Sequence, residues 1–107
     1  MARSLRIFYS GVKGAVRKNH NWPPISKKSA VMITAAEFFW PGTFGGLEDI
    51  RPALGAAPIW VSNVGPHGDG SEAGGVEFLL HVEWASPLNV MVTITVLENI
   101  EKYDRVD

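Results

Sequence analysis

The residues with chemical potential in this chain fall into a few groups. His81 and Glu83 lie two apart in an alternating stretch. They therefore share one face of an extended strand, about 7 Å apart along it. Glu77 lies further along the same face. An imidazole and a carboxylate so placed could give two ligands to zinc or a similar ion, with His67 or Asp69 as further donors. Two ligands fall short of a site, and the polar face of an antiparallel strand is ordinarily solvated. No metal or other cofactor is expected, and His81 and Glu83 are the weak candidates if one binds.

Residues 65–75 hold five glycines and a proline in eleven positions, together with His67, Asp69, Ser71 and Glu72. Oxygen ligands among glycines are what a calcium loop offers. The alternating Asp/Asn pattern that ends in a bidentate Glu is missing, however. Neither phosphate-binding glycine pattern is present. The expectation is a flexible loop, and whether it binds an ion stays open. Catalytic constellations are thin. No serine sits in a nucleophile elbow. Glu37, Glu77 and Glu83 could form an acid–base pair, but no spacing brings two of them to one substrate. No enzyme activity is expected.

The most unusual segment is Phe38-Phe39-Trp40-Pro41-Gly42-Thr43-Phe44, four large aromatics around a Pro-Gly turn. Alternation along a strand buries one face only, so one of Phe38, Phe39 and Trp40 should point away from the core. An exposed Trp or Phe on a turn is a candidate anchor for a protein partner. The same flat ring can stack on a sugar. Trp22, beside Asn19, His20 and Asn21, offers a second platform. Arg17, Lys18, Lys27 and Lys28 surround it in sequence and could steer an anionic partner. Cations mixed with an aromatic can also hold single-stranded nucleic acid, but the segment is short and the whole chain carries a net charge of −1, so nucleic acid is not the expected partner.

Strands must position these groups. Leu5, Ile7 and Tyr9 alternate with polar or outward residues, and residues 12–17 give a weaker strand. Residues 18–28, polar and containing Trp22-Pro23-Pro24, read as a loop, because prolines deny a ladder its N–H donors. A strand follows over residues 29–34, and residues 35–40 could extend it. Residues 47–55 hold the only helical turn, with Glu48 and Asp49 near its start. Pro52 limits its length, which favours a 3₁₀ turn. Ile59 to Val64 alternates again. Val76, Phe78, Leu80, Val82 and Trp84 then form one apolar face, and Val90, Val92, Ile94 and Val96 another. Burying these nine side chains contributes roughly 1.5–3 kcal/mol each. Joined by Ser86-Pro87, the two strands predict an antiparallel hairpin at the centre of the core. Residues 98–107 read as a polar tail that can fray.

The sequence thus predicts one all-β domain over residues 1–107: an antiparallel two-sheet sandwich, immunoglobulin-like or jelly-roll-like, with about six or seven strands and little or no helix. The Cys–Trp–Cys signature of antibody domains is absent. Hydrophobic residues make up 46% of the chain, an ordinary value for a folded, soluble protein. No apolar run approaches the about 20 residues of a membrane span. There is no cysteine, which removes disulfides and thiolate sites. No secretory h-region is visible, so a cytoplasmic location is the default and non-classical export stays open.

Charge is split along the chain. Residues 1–36 hold seven cations and no acid, while residues 37–107 hold three cations and eleven acids. Such a split suggests head-to-tail contact between copies or an anionic partner, unless the halves interleave in space. The reading that follows is a non-catalytic binding or assembly module. It self-associates as a homo-oligomer, or docks on a protein partner, through the aromatic turn and complementary charge. A carbohydrate-binding module using exposed Trp residues is the alternative, with a glycan as partner. A small metal-dependent enzyme is the second alternative.

Overall fold

The computed structural model describes residues 1–42 and 45–107. Six strands form among the described residues: β1 (Arg3–Val12), β2 (Gly14–Asn21), β3 (Ser29–Glu37), β4 (Ile59–His67), β5 (Gly75–Val82) and β6 (Leu88–Asn99). A 3₁₀ turn at Leu47–Asp49 is the one helical piece described. The strands make two antiparallel three-stranded sheets, ordered β1-β6-β3 and β2-β5-β4. The expected all-β sandwich is what the chain forms.

The core lies between the sheets. The alternation of β5 and β6 explains it, because each is the middle strand of its own sheet and turns one face inward. Val76, Phe78, Leu80 and Val82 from β5 meet Val90, Val92, Ile94 and Val96 from β6, all buried. Leu5, Ile7, Val16, Val31, Ile33, Ile59 and Val61 close the core from the edge strands. Eight of the nine apolar side chains read from the sequence are therefore buried. Trp84 is the exception: β5 ends at Val82 and the indole is 45% exposed.

The expected β5–β6 hairpin does not form. The strands lie in different sheets and the connection between them arches from one to the other. Two strands with one apolar stripe each can bury those stripes against one another only when stacked face to face, and that preference prevails over side-by-side pairing. The connection from β1 to β2 makes the same crossing with Lys13 alone between the strands. Gly11 and Gly14, at φ of 69° and 74°, supply the left-handed backbone for that corner.

Other boundaries also moved. Residues 18–21 belong to β2 rather than to a loop, because β5 offers them ladder partners and the prolines come only at 23 and 24. β3 runs on to Glu37. β4 extends through Pro66 to His67, past a register shift between Ser62 and Gly65 where Asn63 takes φ of 54°. β6 continues to Asn99, so the tail begins at residue 100 rather than 98. No helix among the described residues is long and apolar enough to cross a membrane.

Candidate functional site

The aromatic segment follows directly from β3. Phe38 donates its backbone N–H to the Asn89 carbonyl at 3.1 Å, which fixes the end of the strand against β6. Its ring turns to the outer side of the β1-β6-β3 sheet and is fully buried there with Ile50 and Met91, against Phe8. This is a second, small core that the sequence periodicity did not reveal. Met91 sits on the face of β6 opposite Val90 and Val92, among Thr93 and Thr95. The segment around Ile50 crosses that face and covers it.

The neighbouring rings have a different fate. Trp40 meets Phe38 edge-on at 4.8 Å between centroids and Phe8 at 6.1 Å, tilted. These contacts hold the indole in place, yet 48% of it is exposed, and Phe39 is 69% exposed. Two rings rather than one thus point away from the core. A hollow of about 380 Å³ beside Phe39 is lined by Pro41, Asp49, Ile50, Arg51 and Ala53. Phe44, the remaining aromatic of the segment, lies outside the described residues.

Trp22 is half-buried. It packs against the main core, and the Arg3 guanidinium lies 5.7 Å from its ring centroid. The basic residues around it engage partners within the chain. Arg17 donates to Glu77 at 2.9 Å and Lys27 to Asp69 at 2.7 Å. Lys18 Nζ stands 4.4 Å over the Tyr9 ring, a phenol whose pKa burial pushes up. Lys28 is exposed. Both ion pairs join the basic first part of the chain to the acidic remainder, because antiparallel pairing interleaves the two. The hydrogen bond and charge of Lys27 hold the Asp69 carboxyl below its ordinary pKa, and Asp69 raises Lys27 in return.

The outer face of the β2-β5-β4 sheet carries a second polar–aromatic group. His81 lies opposite Trp60 in the ladder, and the rings stack at 4.7 Å with 3° between planes. His81 Nε2 hydrogen-bonds Ser62 Oγ at 2.7 Å. Sequence reading passed over Trp60 and Ser62. The signal was available in the alternation of residues 59–64, which puts both side chains on the face opposite Ile59 and Val61. Glu83 lies just past the end of β5 and is exposed. Among the described residues no three His, Cys, Asp or Glu side chains gather into a cation site.

The glycine-rich loop is docked. Trp22 N–H bonds the Gly74 carbonyl at 2.7 Å and Lys27 N–H the Gly68 carbonyl at 3.1 Å. The His67 ring bridges the Asn19 side-chain oxygen and the Ala73 carbonyl, at 2.7 and 2.9 Å. Comparison with protein-family models, with curated proteins and with solved structures returns no match.

Proposed function

We propose that this sandwich is a non-catalytic binding and assembly module whose anchor is the aromatic turn after β3. One observation carries the reading: Trp40 is held out on a firm base, with Phe38 buried beneath it, and Phe39 stands exposed beside it. A large ring fixed in an exposed position loses little conformational freedom on docking, which is why such rings dominate binding energy at protein interfaces. The hollow beside Phe39 gives a partner side chain somewhere to go, with Arg51 and Asp49 at its rim to fix orientation.

The test is the mass of the protein in solution, by light scattering after gel filtration, for the wild type and for Phe39→Ser with Trp40→Ser. A module of this kind assembles or captures a protein partner, and the double variant loses that while keeping its circular dichroism. Salt-insensitive assembly assigns the contact to the rings, and salt-sensitive assembly to charge. Full assembly by the double variant would overturn the anchor.

A second reading has its own observation. Trp60, stacked on His81 beside Ser62 and the Arg17–Glu77 pair, combines a partly exposed indole with hydrogen-bonding groups on one flat face. That is the combination a sugar-binding platform uses. A glycan array with no hits removes this reading and leaves the first untouched.

A further inference from the structure

The two long sides of the sandwich differ. On one, β3 lies against β4, and Ala53 bridges to Glu37. On the other, β1 and β2 run out from the Lys13 corner as outer strands of their sheets, and among the described residues no ladder joins them. β2 is the more regular of these two edges. β1 breaks register between Tyr9 and Val12, whereas β2 pairs with β5 from Gly14 to Asn21 with no shift and no proline. Trp22 N–H bonds the Gly74 carbonyl, so the even-numbered residues of β2 turn their backbone toward β5. Ala15, Arg17, Asn19 and Asn21 therefore turn N–H and C=O groups outward, and all four residues are exposed.

This edge is basic. Val16 packs on the main core, so Lys18 and His20 also turn to the inner face, where both are half-buried. Arg17 is on the outer face, Lys13 at the corner, and Arg3 and Arg6 on neighbouring β1. Among the described residues, Arg17 alone of these six has a carboxylate partner, Glu77 at 2.9 Å. Lys18 and Arg3 rest instead on the rings of Tyr9 and Trp22, and Arg6 donates to Thr93 Oγ1 at 3.0 Å. A cation on the inner face of an edge strand rejects a neutral or basic strand, because adding one would bury the charge unpaired. An acidic strand supplies the missing partner.

We propose that the β2 edge takes an extended acidic peptide segment of a partner as a further strand, with carboxylates opposite Lys18 and His20. Added antiparallel, the segment bonds the outward N–H and C=O groups of Arg17, Asn19 and Asn21, and its main chain supplies the affinity. Lys18 and His20 then fall at the non-bonded positions of the new ladder, where facing Cα atoms are about 4.5 Å apart and side chains come closest. Two carboxylates two residues apart meet both. Single-stranded nucleic acid fits less well. It has no strand ladder to offer, and the rings it would stack on are already faced by Lys18 and Arg3. The site lies across the sandwich from β3 and its aromatic turn, so it adds a partner class to the binding reading without resting on the rings.

The probe is a fluorescein-labelled octapeptide of alternating Glu and Val, followed by anisotropy. With glutamates opposite Lys18 and His20, the valine N–H groups face β2 and the glutamate N–H groups face away. N-methylation of the valines is therefore expected to weaken binding by about tenfold or more, and N-methylation of the glutamates to leave it. The alternating Lys–Val peptide is expected not to bind. Lys18→Gln with His20→Gln is expected to weaken the Glu–Val peptide by about tenfold or more with unchanged circular dichroism. Amide exchange is expected to slow at Arg17, Asn19 and Asn21 when the peptide is added. No binding of the Glu–Val peptide, equal binding of the valine-methylated form, or equal binding of an eight-residue oligothymidylate would each overturn the strand addition. The wild-type comparison of the two methylated peptides decides the matter even if the double variant fails to fold. Phe39→Ser with Trp40→Ser is expected to bind the peptide as the wild type does. Loss of the peptide in that variant, with full binding by the Lys18/His20 variant, would overturn the edge and uphold the rings. Peptide binding that needs Lys18 and His20, with assembly indifferent to the ring variant, would uphold the edge and overturn the rings.

Discussion

The glycine-rich loop between β4 and β5 and the aromatic turn after β3 both interrupt strands, and they are held by opposite means. The loop is fixed by backbone. A Cβ on Gly74 would stand 2.0 Å from the Ile25 carbonyl oxygen, and one on Gly75 2.6 Å from that of His20. Glycine there permits close approach of chain to chain, and the composition that reads as mobility is the condition for docking. The turn is fixed by side chains, with Phe38 in a small core and Trp40 leaning on it. It buries Phe38 in the fold and presents Phe39 and about half of Trp40. A loop with many small residues is thus part of the scaffold, and a turn with many large ones is the exposed part.

Adjacent residues of the turn separate anchoring from presentation most sharply. Phe38→Ala removes a fully buried ring and is expected to destabilise by about 3–5 kcal/mol. Phe39→Ala removes an exposed one and is expected to stay within about 0.5 kcal/mol. Urea unfolding reads both. Similar losses at the two positions would mean that the turn does not divide its rings in this way.

Within the loop the matching pair is Gly74 and Gly70. Gly74→Ala meets Ile25 and is expected to cost about 3 kcal/mol, since backbone must shift to admit the methyl group. Gly70 has φ of +59° and nothing within 4 Å of an added Cβ, so Gly70→Ala is expected to cost only about 1 kcal/mol from its left-handed backbone. Equal effects in thermal melts would show that the loop does not rest on residues 23–26. Trp40→Ala falls between the two regions in character. Losing its contacts with Phe38 and Phe8 is expected to cost about 1–2 kcal/mol, with assembled mass falling further than stability does.

Much of this architecture was legible in the residues. Period-two alternation in β5 and β6 gave the strands and the inward faces, because those strands are central and nothing competes with burial. The same signal could not distinguish a hairpin from an arch, since both need two apolar stripes and a short connection. Met91 and Phe38 were ambiguous for a related reason: a second core on the outer face of a sheet depends on where residues 38–53 run, and no local pattern encodes that path. The docked glycines were hidden because a close approach leaves no trace at either partner alone. The aromatic turn was visible as composition, while the division between Phe38 and its neighbours needed coordinates. The charge split was real in sequence, and antiparallel pairing turned part of it into ion pairs within the chain.

The smallest expected effect concerns the Lys27–Asp69 pair, which ties the tip of the glycine-rich loop to the β2–β3 connection. The folded Asp69 carboxyl is held below its ordinary value, so its stabilisation is present above that value, about 3.9, and is lost as pH falls through the folded one. Lys27 is raised, so its share is complete below about 10.4 and is lost as pH rises through the folded value. Asp69→Asn should therefore lower the thermal midpoint slightly at neutral pH, and the difference from the wild type should close as pH falls through the folded value and the wild-type carboxylate takes up its proton. Both groups are exposed and salt should shrink the difference. Because the pair belongs to the scaffold, assembled mass should not change. A fall in mass at neutral pH with an unchanged midpoint would move the loop from the scaffold to the interface and erase the contrast with the turn.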